Sequence, residues 1–273
     1  MKPQEVKDAN SWLALMIGNS RLHWALFSGA SLQEAWESEH LAESRRTKQR
    51  TRRTLEKGKV HFPFFPFSHP QFPIPHSEVP IPLVLASVVP KETILWQTYP
   101  NLREIALEQV PLTGLYPTMG IDRALAVFGA GEVWGFPVLV IDAGTALTFT
   151  GADKNGQLVG GAILPGLKLQ LQSLAQGTSA LPEIRLPSTL PSRWALNTAS
   201  AIQSGIVYTV LAGLCNFIDA WWREFPNSPV ILTGGDRTRI LTYLQNLYPK
   251  VASKLITDPH LIFWGMRSLI VDN

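Results

Sequence analysis

Apolar runs broken by glycine and proline set out the elements of this chain. Leu13–Phe27 (LALMIGNSRLHWALF) predicts a strand, a Gly-Asn turn and a second strand, because small and polar residues separate two runs rich in Leu, Trp and Phe. Ile81–Pro90 (IPLVLASVVP) reads as a buried-type strand ended by proline, and Lys91–Leu107 as helical in parts. Asp122–Trp134 places Ala124, Val127 and Phe128 on one helical face. Pro137–Thr150 (PVLVIDAGTALTFT) again predicts strand, turn, strand. Ala199–Trp222 is a long apolar helix, with Ile218, Trp221 and Trp222 at core spacing. Val230–Thr233 is a short strand running into Gly234-Gly235, and Leu261–Gly265 (LIFWG) reads as a last strand before a short helical end.

The two strand-turn-strand segments match each other. Met16-Ile17-Gly18-Asn19-Ser20 stands 126 residues before Asp142-Ala143-Gly144-Thr145-Ala146. A repeat at about half the chain length predicts two similar domains. Glycine lets a backbone approach phosphate closely, and the N–H groups of such turns bind anions. The same glycines would also serve two ordinary hairpins, which need positive φ.

Composition narrows the classes. Hydrophobic residues make up 45% and charged residues 16%, which excludes wholesale disorder. The formal charge is +3, and most of the excess sits in Glu43–Lys59, with eight basic and two acidic residues. Seven prolines follow in His61–Pro82, a density that prevents a regular helix or a central strand. Residues 43–80 therefore read as an inserted surface loop rather than a basic arm for nucleic acid or anionic lipid, since no nucleic-acid module accompanies them. The one cysteine, Cys215, excludes an internal disulfide framework and a multi-Cys zinc site. None of the six histidines forms a metal-spaced pair. Gly18, Asn19, Ser20 and Arg21 interrupt any leader-like apolar run. Ile206–Trp222 reads as too short and too polar to span a bilayer. A cytoplasmic protein, without membrane or nucleic-acid partners, is expected.

The motifs also have an order. IGNS comes first, then GIDR at Gly120–Arg123, IDAGTALT at Ile141–Thr148 and GGAILPGLKLQLQSL at Gly160–Leu174. TSALP at Thr178–Pro182, NTASAIQSG at Asn197–Gly205 and LTGGD at Leu232–Asp236 complete the series. Together these resemble the type III pantothenate kinases, within the acetate and sugar kinase, heat-shock ATPase and actin superfamily. The resemblance covers residues 13–27 and about 81–266. It implies an α/β fold of two ribonuclease-H-like domains, each a mixed sheet flanked by helices, with the active site in the cleft between them. The expected division is 1–115, carrying the insertion, and 116–273. The implied activity is ATP-dependent phosphorylation of pantothenate to 4′-phosphopantothenate, by a homodimer that uses magnesium with ATP and a monovalent cation, potassium or ammonium. The alternative is a non-catalytic, nucleotide-binding regulatory relative of the same fold.

Phosphoryl transfer needs phosphate positioning, a cation, and a base at the attacking hydroxyl. The resemblance gives Gly18, Asn19, Ser20 and Arg21 to one phosphate loop, Gly144 and Thr145 to the other, and Gly234 and Gly235 to the adenosine. Asp142 matches the cation-binding position, and a carboxylate is a suitable hard ligand. Asp122 matches the general base, although its place before a helical pattern also suits a helix cap. Tyr116, Gly120, Ile121, Asp122 and Arg123 fall in the substrate region, where Arg123 could pair with the pantothenate carboxylate in a forked bond. Thr198 matches a pantothenate contact made across a dimer interface, or caps the long helix. Gly160, Gly161 and Pro165-Gly166 look like a turn close to the ligand, structural or in contact.

One departure stands out. The family's first loop opens with Asp, and here that position is Met16. Ser20 keeps the hydroxyl of the usual Thr, but a carboxylate that would help hold magnesium is gone. That leaves weakened metal handling, a substitute carboxylate, or lost catalysis.

Overall fold

The structure is a computed structural model, described here over residues 10–40 and 81–271. The inserted loop expected at 43–80 lies outside the described residues. The chain divides into two compact units, Met1–Ala106 and Leu107–Asn273. Residues 107–115 thus join the second unit rather than the first, and Thr113 bridges to Gln157 within it.

In the first unit, β1 (Ser11–Ile17) is buried at every position but its first. Such a strand is covered on both faces and belongs at a sheet centre. It pairs antiparallel with β2 (Leu22–Ser28), which pairs antiparallel with β3 (Ser31–Ser38). On its other side lies β4 (Leu83–Ser87), parallel, followed by β5 (Leu102–Glu104), also parallel, giving the order β3-β2-β1-β4-β5. Alternation sends Leu13, Leu15 and Ile17 to one face, into a core with Leu22, Trp24, Leu85 and Trp96. Trp24 meets Trp96 edge-on at 5.2 Å. The segment expected to be helical in parts holds α1 (Pro90–Thr93), a 3-10 turn at Ile94–Trp96 and then β5.

The second unit repeats the plan. β6 (Val138–Ala143), β7 (Ala146–Ala152) and β8 (Leu158–Pro165) form an antiparallel meander. β9 (Val230–Thr233) and β10 (Ile256–Thr257) add in parallel, giving β10-β9-β6-β7-β8. Each unit thus runs three antiparallel strands and then two parallel ones from the first strand of the meander. Leu139, Ile141 and Ala143 face a core built with α4 (Thr198–Glu224), through Val207, Leu211, Leu214 and Ile218. Alternation turns Asp142 to the opposite face, the one against which α2 (Ile121–Trp134) lies. The remaining helices are α3 (Leu167–Gly177), α5 (Arg237–Leu247), α6 (Pro249–Ala252) and α7 (Leu261–Val271).

Two sequence readings change here. α4 has 27 residues, so by length and composition it could cross a membrane, contrary to the expectation from Ile206–Trp222. Its buried stripe, however, is the second core. Leu261–Gly265 is not a strand but the start of α7, because a short apolar run fits helix and strand alike by periodicity. Its neighbour settles the matter. A Cβ on Gly129 of α2 would lie 2.1 Å from the Leu261 carbonyl oxygen, and one on Gly265 2.4 Å from that of Leu125. The two helices cross backbone to backbone through this glycine pair.

Gly129→Ala should therefore destabilise by about 3 kcal/mol or more, since neither backbone can yield without separating the helices. Gly213→Ala, whose Cβ would meet nothing within 4 Å in α4, should be neutral or stabilising by up to about 1 kcal/mol. Urea melts of both variants check the pair, and equal effects would contradict the crossing.

Candidate active site

The β6–β7 hairpin turns through Gly144 and Thr145, closed by the Gly144 N–H on the Ala146 carbonyl at 3.0 Å. Two other segments clasp this turn. The Gly166 N–H, at the mouth of α3, donates to the Thr145 carbonyl at 2.9 Å, and the Asp236 N–H donates to the Ala143 carbonyl at 2.8 Å. Gly234 follows β9 with φ +87°, and a Cβ there would sit 2.3 Å from Asp142 Oδ1. Its lack of a side chain is thus required by the Asp142 carboxylate as well as by its backbone. Gly235 faces open space. The Arg237 guanidinium donates to the Gly234 carbonyl at 3.0 Å.

Asp142 is partly buried, and its carboxyl is pushed up to about 7, first by burial and then by the charge of Asp122. Asp122 is the second residue of α2, and Gly120 is the N-cap. The cap role therefore falls to Gly120. Asp122 Oδ1 accepts from the Arg123 N–H at 2.8 Å. Burial raises the Asp122 carboxyl, opposed by that hydrogen bond and by the Arg123 charge. Two carboxylates from different elements, both held toward the neutral form, are an arrangement that a cation would relieve. The donor set therefore fits a bound cation at Asp142.

Arg123 departs from expectation. It is 8% exposed. Its Nε donates to Thr150 Oγ1 (3.0 Å), Nη1 to Tyr116 Oη (2.8 Å) and Nη2 to the Phe149 carbonyl (3.3 Å). A free fork for a substrate carboxylate is not what this geometry offers. Instead Arg123 anchors Tyr116, itself 41% exposed, to the sheet. Gly161 serves the same anchor, since a Cβ there would lie 2.6 Å from Arg123 Nη2. The Gly160–Pro165 stretch is thus part of strand β8, and Gly166 is the extended N-cap residue of α3.

In the second unit, Asp122 is thus near enough to Asp142 for its charge to be felt there, Gly144 and Gly234 lie beside the Asp142 carboxyl, and Arg123, next to Asp122, holds Tyr116. Thr198 is elsewhere. It is the first residue of α4, capped by Asn197, whose Oδ1 accepts from the Ser200 N–H at 2.9 Å. Beside it opens a groove of about 690 Å³ lined by Leu174, Leu181, Leu196 and Ile202.

The first unit carries Gly18, Asn19, Ser20 and Arg21 in the β1–β2 turn, with Arg21 paired to Glu37 at 3.5 Å. Met16 holds the register position of Asp142. It pairs with β4 at Ala86, as Asp142 pairs with β9 at Thr233. Yet Met16 is 1% exposed and flanked by His23 on β2. Met16→Asp would bury a carboxylate where a thioether fits, so it should cost about 3 kcal/mol or more and leave the magnesium requirement unchanged. Thermal melts beside a magnesium titration of initial rate test this, and a lowered magnesium requirement would reverse it.

A residue that sequence reasoning passed over is His40, whose Nε2 lies 2.9 Å from the Gly18 carbonyl. Their separation of 22 positions and the absence of any metal spacing left no signal in the sequence.

Two copies of one sheet plan, each with a glycine-bearing hairpin at its centre, define a class of α/β protein built from two ribonuclease-H-like units. Within it, the type III pantothenate kinase family profile matches residues 12–220, and the chain belongs to that family. A type III pantothenate kinase of Nostoc sp. is 54% identical over 268 residues, spanning 96% of this chain and 95% of that one. One from Synechocystis sp. is 42% identical, spanning 94% and 90%. A solved structure described as a Baf family transcriptional activator, from Campylobacter jejuni, is 20% identical with a TM-score of 0.59, covering 96% of this chain and 98% of that one. At that identity it speaks to the fold alone.

Proposed function

We propose that this protein transfers the γ-phosphoryl group of ATP to the primary hydroxyl of pantothenate, giving 4′-phosphopantothenate, the first step towards coenzyme A. The observation that carries the chemistry is the pair Asp122 and Asp142 on one face of the second sheet, both with raised carboxyls. Family membership supplies the substrates. The non-catalytic alternative has no support among the relatives.

Asp122 accepts the hydroxyl proton as the pantothenate oxygen bonds to the γ-phosphorus and the bond to the bridging oxygen of ADP breaks. A carboxyl raised by burial is a better proton acceptor than an exposed one, and a positioned base contributes about 10²–10⁴-fold. Gly18, Asn19, Ser20 and Arg21 hold phosphate oxygens, as do Gly144 and Thr145, while Gly234 and Gly235 take the adenosine. Tyr116, anchored by Arg123, orients pantothenate together with Gly120 and Ile121. A monovalent cation, potassium or ammonium, at Asp142 and magnesium on the nucleotide would offset the phosphate charge. We read the protein as a cytoplasmic homodimer, with Thr198 meeting pantothenate, and without nucleic-acid or membrane partners.

The test is ADP release on adding pantothenate, with and without potassium. Pantothenate-dependent ADP release, enhanced by potassium, is expected. ADP release indifferent to pantothenate would remove the reading.

A further inference from the structure

The Gly18 turn is held from outside itself. The Gly18 N–H donates to the Arg21 carbonyl at 3.0 Å, and the Ile17 carbonyl accepts from the Val88 N–H at 3.1 Å. The Gly18 carbonyl lies 2.9 Å from His40 Nε2, just beyond β3. A carbonyl accepts, so Nε2 carries the proton in this contact. The other ring nitrogen, Nδ1, lies 3.9 Å from Glu92 Oε1. Glu92 belongs to α1, which begins two residues after Val88, and is 7% exposed. Its second oxygen, Oε2, is enclosed and has no hydrogen-bond partner among the described residues. A buried carboxylate with an unsatisfied oxygen is costly, and such a group is retained next to a basic partner. His40 is such a partner when it is an imidazolium, with a proton on Nδ1 as well as on Nε2, so that both ring N–H groups are engaged, one toward Glu92 and one on Gly18.

We infer that Glu92 and His40 form a buried carboxylate–imidazole strut that positions the phosphate loop by holding the Gly18 carbonyl. The peptide between Gly18 and Asn19 is planar and trans, so its carbonyl and the Asn19 N–H point in opposite directions. Fixing the carbonyl on His40 therefore fixes the direction of the Asn19 N–H. A flip of that peptide would turn a carbonyl oxygen toward any phosphate the loop holds and withdraw a donor. His40 and Glu92 are positioning residues in this account, because they act through the Gly18 carbonyl. The inference rests on the assignment of Gly18–Arg21 to the ATP phosphates.

The experiment is steady-state kinetics on the full chain. His40→Ala should raise the KM for ATP about three- to tenfold, the worth of one hydrogen bond, with the KM for pantothenate unchanged. His40→Gln, whose amide can donate to the same carbonyl, should recover most of that loss. Glu92→Gln should raise the KM for ATP to a smaller degree. The double variant His40→Ala/Glu92→Gln should be no worse than His40→Ala alone, because Glu92 acts through His40. Thermal melts accompany each variant, and a general loss of packing would raise both KM values without rescue by glutamine. That outcome overturns the strut, as does additivity in the double variant. Ser20→Ala separates this idea from the one beneath it. If Ser20→Ala raises the KM for ATP and His40→Ala does not, the loop assignment stands and the strut falls. If neither moves it, both fall.

Discussion

Asp122→Asn should lose about 10²–10⁴-fold in turnover while its KM for ATP stays within about twofold of the wild type. Asparagine keeps the Oδ1 acceptor that takes the Arg123 N–H at 2.8 Å, so the first turn of α2 is preserved. What disappears is the group that can receive a proton. The substitution also removes a charge that burial opposes, so the variant should melt no lower than the parent. Rapid-quench turnover beside nucleotide titration separates the two effects. A variant keeping more than about half of the parental turnover would take Asp122 out of the base role.

Asp142→Asn should separate stability from activity. The Asp142 carboxyl is raised to about 7 in the folded protein, against about 4 in an unfolded chain. Between those values the folded state binds the proton more tightly, so stability falls as pH rises from about 4 through 7 and is lowest above it. In salt free of potassium and ammonium, the wild type should lose about 5 °C of melting temperature across that window. Added potassium should restore it at pH 8, because a cation at the carboxylate favours the charged form. In Asp142→Asn the pH slope contributed by this group and the potassium response should both vanish, the melting temperature at pH 8 should rise, and turnover should drop by about 10²-fold. A stabilised but inactive variant is the pattern expected of a strained functional group. A potassium response that survives the substitution would place the cation elsewhere.

The two hairpins were legible in the sequence because strand alternation, a glycine turn and a repeated spacing are all local. Asp122 and Asp142 could be named as candidates for the same reason, each standing at a fixed offset in a short motif. Elements with a weak local signal are harder to read, and Gly160–Pro165 suggests a turn where the structure has strand β8. β3 (SLQEAWES) is polar along much of its length, and in β8 the two central glycines interrupt the β-forming run. Strand β3 lies at a sheet edge, half exposed, so packing places few apolar demands on it.

The sequence by itself determined the duplicated plan, the long core helix and the two candidate carboxyls, since these depend on periodicity and on residues close in the chain. Tertiary structure decided what depends on distant neighbours. LIFWG became helix rather than strand because Gly129 and Gly265 let two backbones meet. Arg123 became an anchor for Tyr116 rather than a free fork because Thr150 and Phe149, 27 and 26 residues away, take its other N–H groups. Met16 and Asp142 hold one register position in two sheets, yet one is a closed-over thioether and the other a carboxyl that burial and a neighbouring carboxyl push toward its neutral form. The link from Glu92 through His40 to Gly18 joins three segments with no common motif. Hydrogen-bond partners and the local dielectric are set by which elements fold against each other, and a linear pattern records neither.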